Sequence, residues 1–141
     1  MNLSIEDALR VEKFSLEGLN THALITSVYD GDSVHAVFPF AGTMYKWVCR
    51  LDGLDTPEVR TKNEDEKRFG LHVRDALRER ILYKEVDVSC GGFDKYGRLL
   101  VVISMDGENI NNWLISKGYA QPYDGGTKTP FTSFFESPQF T

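Results

Sequence analysis

Cysteine is scarce in this sequence. Cys49 and Cys90 are the only thiols among 141 residues, and a pair so widely separated forms neither a zinc-binding spacing nor a disulfide framework. Two reduced, partly buried thiols are expected. Long apolar runs are missing as well: the longest, Leu99 to Ile103, is far below the roughly 20 residues of a membrane span. At the N-terminus, Glu6 and Asp7 stand where a secretory leader needs a basic start and an unbroken apolar stretch, so an intracellular protein is expected. An excess of positive charge is absent too. Lys and Arg number 16 against 21 Asp and Glu, for a net charge of −5 and a pI near 5.2. A protein that gathers polyanions by overall attraction is thereby disfavoured, and any nucleic-acid contact must be local. Internal repeats and low-complexity tracts are also lacking.

What remains is the composition of an ordinary globular chain, 41% hydrophobic and 26% charged, long enough for one domain with a real core. Ser4 reads as the N-cap of a short helix carrying Ala8, Leu9 and Val11, an arm ahead of the main domain. Ala23 to Tyr29 and Ser33 to Phe38 are β-branched and aromatic runs around the turn sequence Asp30-Gly31-Asp32, and Met44 to Leu51 supplies a third strand. Phe69, Val73, Ala76, Leu77 and Ile81 recur at intervals of three and four, the stripe of an amphipathic helix. Two further strands follow, over Glu85 to Cys90 and Leu99 to Met105. A final short helix begins at the cap Asn109, buries Ile110, Trp113 and Leu114, and stops at Gly118. Trp47 and Trp113 are read as core residues. The order is that of a mainly β protein with helices, an α+β chain compatible with a five-stranded OB-fold barrel. The expected layout is an arm over 1–20, the barrel domain over 21–121, and a tail over 122–141. That tail is broken by Gly and Pro yet carries Phe131, Phe134, Phe135 and Phe140, which suits packing better than linking.

Three short segments carry the chemistry: Asp30-Gly31-Asp32-Ser33; Arg50 through Glu58, which contains Asp55-Thr56-Pro57-Glu58; and Asp94-Lys95-Tyr96-Gly97-Arg98. Each alone reads as a turn or loop. Together they offer hard carboxylates, a backbone carbonyl and two arginines, the groups that phosphodiester hydrolysis at a calcium ion requires. In order, and nearly in spacing, they resemble the staphylococcal nuclease family across about residues 21–121.

Carried over to this chain, the resemblance implies that Asp32 and Asp55 are carboxylate ligands of Ca2+, with the backbone carbonyl of Thr56 as a third ligand. Glu58 would orient or deprotonate the attacking water, and Arg50 and Arg98 would grip the phosphate. Lys95 and Tyr96 would steady a neighbouring phosphate. The aromatic platform for a base falls to Tyr123, ahead of Tyr119. The implied reaction is in-line attack of water on phosphorus with departure of the 5′ oxygen, on DNA and RNA with single strands preferred; apart from the resemblance, a monomer without membrane contact is expected. The interval from Asp32 to Arg50 is longer than in the best-known member, so the hairpin around Ala41-Gly42 should be extended. Asp52 would share a face with Arg50 in a regular strand and compete for it, unless Gly53 bends it away. The two arginines, at a strand end and a loop, are expected to matter for rate more than for folding. His22, His35 and His72 lack ligand-like spacing, and Arg74, Arg78 and Arg80 read as a solvated helix face. The alternative reading is a catalytically silent OB-fold module that binds nucleic acid or protein.

Overall fold

The structure, a computed structural model, describes residues 2–126 together with Lys128 and Phe131. Phe134, Phe135 and Phe140 lie outside the described residues. The elements in chain order are α1 (Ile5–Arg10), β1 (Asn20–Asp30), β2 (Ser33–Phe40), β3 (Thr43–Leu51), β4 (Leu54–Asp55), α2 (Glu64–Ile81), β5 (Glu85–Phe93), β6 (Leu99–Met105), β7 (Glu108–Asn109), α3 (Ile110–Ser116) and β8 (Gln121–Pro122).

The long strands hydrogen-bond in the order β3-β2-β1-β5-β6, and a parallel pairing of β3 with β6 closes them into a five-stranded mixed barrel. The closing pairing joins Cys49–Leu51 of β3 to Leu99–Val101 of β6, at the end of β3 nearest the motif residues. Alternation decides what fills it: Val34, Ala36 and Phe38 from β2, Val86, Val88 and Cys90 from β5, and Leu99, Val101 and Ile103 from β6 all point inward and are buried. The two thiols are free and buried within this interior, Cys49 completely. Burial, with the nearby Cys90 adding to it, pushes the Cys49 thiol up to about 12, which makes it an inert packing group.

The hairpin between β2 and β3 turns through Ala41 and Gly42, whose φ angles of 51° and 81° are the left-handed pair a two-residue turn needs. Pairing runs unbroken from Ser33 opposite Arg50 to Phe40 opposite Thr43, so the hairpin is a regular ribbon to its tip. Helix α2 is capped by Asn63, whose side chain accepts the N–H of Glu66 at 3.0 Å. It buries Phe69, Val73, Leu77 and Ile81 against the barrel. Trp47 and Trp113 are only partly buried, packing at the margin of the core. Helix α1 buries no residue, whereas Leu16 already belongs to the core and Gly18 donates its N–H to the Cys90 carbonyl at 3.0 Å.

Candidate active site

The three motif segments meet at one end of the barrel because of two pairings. The start of β2 lies beside the end of β3, with Ser33 opposite Arg50 and the Leu51 N–H donating to the Asp32 carbonyl at 2.8 Å. The parallel register of β3 with β6 sets Arg50 opposite Leu100, only two residues beyond Arg98. Parallel strands run in the same direction, so residues that end one and begin the other arrive together only in such a closure.

Two glycines allow the surrounding loops to come close. A Cβ on Gly31 would sit 2.7 Å from Val73 Cγ1 and 2.9 Å from Thr56 Cγ2, distances that non-bonded carbons do not reach. The Asp30-Gly31-Asp32 turn is thus pressed against both α2 and the Thr56 loop. A Cβ on Gly70 would meet the carbonyl oxygens of Pro57 and Glu58, each at 2.8 Å, so the helix backs directly onto the chain that bears Glu58. The first turn of α2 adds a clasp: the Glu58 N–H donates to Glu66 Oε2 at 3.0 Å.

Arg50 is the centre of the polar network. Its Nη1 donates to Asp32 Oδ2 at 2.8 Å, its Nη2 donates to the Leu54 carbonyl at 3.2 Å, and Nη2 also lies 3.9 Å from Asp55 Oδ1. The residue is 8% exposed, so it is more deeply embedded in the fold than its strand-end position implies. The planar fork is fixed by two directed bonds. Asp52 is exposed and does not pair with it: Gly53, at φ +81°, turns the chain there. The Asp52 backbone is instead held by the Asn111 side chain, which donates to its carbonyl at 3.0 Å. The competitor for Arg50 is therefore Asp32.

Arg98 is held by its own loop. Asp94 Oδ1 accepts the N–H groups of Tyr96 and Arg98, both at 2.9 Å, and Asp94 Oδ2 accepts Arg98 Nε at 2.8 Å. Burial alone would raise the Asp94 carboxyl, but those two backbone donors and then the guanidinium hold it below its ordinary 3.8. The bond to Asp94 uses Nε, so the terminal amino groups of Arg98 remain for an anion. Tyr96 lies beneath this cation, with the Arg98 guanidinium carbon 5.5 Å from its ring centroid.

Arg50, Lys95, Tyr96, Arg98 and Tyr123 all line one cavity of about 700 Å3, joined by Asp94, Asp124 and Lys128. Tyr123 reaches it through the short sheet of β4 and β8, in which Leu54 pairs with Pro122 and Asp55 with Gln121. Its N–H donates to the Gly53 carbonyl at 3.0 Å, and the Arg50 guanidinium carbon lies 5.7 Å from its ring centroid. Tyr119 is elsewhere, packed edge-on against His72 and Trp113. None of the three histidines lines the cavity.

Asp32 and Asp55 adjoin that cavity through Arg50, and Lys128 on its wall reaches Asp55 and Glu58. Asp32, Asp55 and Thr56 are buried and Glu58 is exposed. Negative charge is crowded here. Burial, the charge of Asp32 and a hydrogen bond shared with it push the Asp30 carboxyl up to about 7. Asp32 itself stays below the ordinary carboxylate value, since its bonds to Asp30 and Arg50 outweigh its burial. Asp55 is raised by burial despite Lys128, whose Nζ lies 3.2 Å from Asp55 Oδ1 and 3.5 Å from Glu58 Oε1. Burial would lower the Lys128 ammonium, but Asp55 and then Glu58 raise it above its ordinary value.

A hard cation fits these donors. They are all oxygens, two of the side chains are buried carboxylates, and Asp55 Oδ1 makes no hydrogen bond despite its complete burial. Among the described residues no three His, Cys, Asp or Glu side chains form a ligand cluster unaided. A cation at this place would therefore need two carboxylates supplemented by backbone oxygen, which suits calcium better than a transition metal.

Two buried carboxylates beside two arginines, in a cleft at the end of an OB-type barrel, are the arrangement of a staphylococcal-nuclease type of fold. The chain belongs to the family described as Staphylococcal nuclease homologue, matching it over residues 48–133. It is 33% identical over 106 residues to Endonuclease YhcR of Bacillus subtilis (strain 168), a match covering 71% of this chain and 9% of that protein. It is 29% identical over 104 residues to a protein of Escherichia coli O157:H7 described as an uncharacterized endonuclease, covering 73% of this chain and 61% of the relative. The chain thus spans less than two thirds of either relative's length. No helix among the described residues is long and apolar enough to cross a membrane.

Asp30, Glu66, Asn111 and Lys128 were not singled out by sequence. Asp30 stands within the Asp30-Gly31-Asp32-Ser33 segment and could have been found there. Asn111 gave no signal, because a polar residue beside a cap reads as solvated, whereas here it is 4% exposed.

Proposed function

We propose that this chain is a calcium-dependent nuclease, hydrolysing phosphodiester bonds of DNA and RNA, single strands preferred, to leave 3′-phosphate and 5′-hydroxyl ends. The observation that carries the reading is the setting of Arg50. It is fixed between Asp32 and the Leu54 carbonyl, it touches the carboxylates, and it lines the same cavity as Arg98. A phosphate in that cavity would meet two preorganised cationic forks, which stabilise the charge that builds on the equatorial oxygens during in-line displacement.

Calcium held by Asp32, Asp55 and the Thr56 carbonyl would supply charge neutralisation at the phosphate and acidify a neighbouring water. Glu58, exposed and with its backbone clasped by Glu66, can orient that water and accept its proton. Lys95 and Tyr96, at the outer wall of the cavity, can hold the adjacent phosphate, a contact that positions the strand without reading its sequence. Tyr123 offers a ring for a base to stack on, which tolerates any of the bases. The net negative charge of the protein leaves these local cations as the source of attraction.

The test is cleavage of a labelled single-stranded DNA and a matching RNA by wild type and Asp55→Ala. Wild type should cut both in calcium and neither in excess chelator, with Asp55→Ala inactive throughout. Undiminished wild-type cleavage in chelator would overturn the calcium requirement.

A further inference from the structure

The cation nearest Asp55 and Glu58 is an ammonium supplied by the chain itself. Lys128 Nζ bridges Asp55 Oδ1 at 3.2 Å and Glu58 Oε1 at 3.5 Å, and it lies 5.7 Å from the Tyr123 ring centroid. Asp55 is almost wholly buried, with its side chain 3% exposed, while the Lys128 side chain is 47% exposed. A half-exposed donor on the cavity wall thus reaches a buried carboxylate. The contact to Asp55 Oδ1 is an ion pair made by a half-exposed ammonium. Such a hold is reversible.

Resting on the calcium reading above, we infer that Lys128 is an internal surrogate cation, occupying the place between Asp55 and Glu58 in the metal-free protein and giving way when calcium enters. One positive charge compensates the two carboxylates that would otherwise face each other unscreened. A divalent ion must displace that ammonium, so Lys128 sets the calcium concentration at which the site fills. It also keeps Glu58 engaged until the metal has arrived, which couples release of the water-activating carboxylate to loading of the site. The competition involves unit charges at about 3 Å near a protein surface, enough to change calcium affinity by about fivefold or more.

Two measurements on the full chain decide it. Calcium is titrated calorimetrically into wild type, Lys128→Gln and Lys128→Arg at low ionic strength. Lys128→Gln should bind about fivefold tighter or better, and Lys128→Arg should stay near wild type because a guanidinium can keep the ion pair. Separately, wild type is acylated with an N-hydroxysuccinimide acetate, and modification of Lys128 is quantified by peptide mass spectrometry against exposed Lys62 in the same molecules. Lys128 should react slowly without calcium and several-fold faster with it, since loss of its carboxylate partners frees the amine. Equal calcium affinity in wild type and Lys128→Gln, or a Lys128 to Lys62 ratio indifferent to calcium, overturns the surrogate role and leaves the calcium site standing. Absence of calcium binding in every variant overturns both.

Discussion

Replacing Arg50 by lysine separates charge from geometry at the residue on which the site turns. The guanidinium spends one amino group on Asp32 Oδ2 at 2.8 Å and the other on the Leu54 carbonyl at 3.2 Å. Lysine can keep the first contact as a point charge and must give up the second. The cost in stability is one net hydrogen bond, about 1 kcal/mol, or a few degrees in Tm for a domain of this size. Methionine at the same position removes the charge altogether and leaves the Asp32 carboxylate buried without its cation, which costs about 3–5 kcal/mol. The catalytic cost should be ordered differently. Loss of a preorganised fork at the phosphate removes a transition-state contact worth about 2.7–4 kcal/mol, a 100- to 1,000-fold drop in turnover, and lysine recovers little of it because an ammonium cannot make two parallel bonds. The assay pairs thermal denaturation with single-turnover cleavage of single-stranded DNA at saturating calcium. Lysine should look nearly native in the first and crippled in the second. A folded Arg50→Lys protein that cleaves at the wild-type rate would refute forked phosphate recognition here.

Asp32→Ala should lose calcium binding by calorimetry, whereas Glu58→Ala should bind calcium at least as well as wild type and hydrolyse slowly; unchanged calcium affinity in Asp32→Ala would remove that residue from the site. Gly31→Ala forces a Cβ to within 2.7 Å of Val73, so the turn must shift away from Thr56, with an expected loss of about 1–3 kcal/mol and a weakened calcium site; denaturant unfolding and calcium titration read the two. Asp94→Asn should destabilise the protein at neutral pH by roughly 1 kcal/mol, given the solvent nearby. Because the folded Asp94 carboxyl lies below its ordinary 3.8, its contribution is complete above that value and is lost as pH falls through the folded one. The difference between the two proteins should therefore vanish in strong acid, and a constant difference down to the lowest pH at which both fold would refute it.

The strands and helices were legible because they repeat. Alternation marks β2, β5 and β6, spacing of three and four marks α2, and Ser4 and Asn109 announce helices that begin one residue later. The three motifs could be read as a set, and the fold brings Asp32, Arg50, Asp55 and Arg98 to one end of the barrel. What could not be read is what depends on close approach or on very short pairing. Gly31 and Gly70 look like ordinary turn and helix glycines until the backbone that would strike their Cβ atoms is known. The β4–β8 ladder pairs only Leu54 with Pro122 and Asp55 with Gln121, too few residues for any periodicity, yet it carries Tyr123 to Arg50. Burial of Arg50 was hidden for a similar reason: a charged residue at a strand end reads as solvated until its buried acceptors, Asp32 and the Leu54 carbonyl, are placed around it. Lys128 lies in a stretch of Gly, Thr and Pro with no pattern to mark it, and only the fold sets it against Asp55 and Glu58.

On the proposed function, these carboxylates and arginines cleave a phosphodiester by expelling the 5′ oxygen. Mass analysis of the fragments formed from a single-stranded oligonucleotide in calcium tests it most directly. The account predicts fragments ending in 3′-phosphate and beginning in 5′-hydroxyl, absent when calcium is chelated; fragments bearing 5′-phosphate, or an intact oligonucleotide after prolonged incubation with the folded protein in calcium, would contradict it.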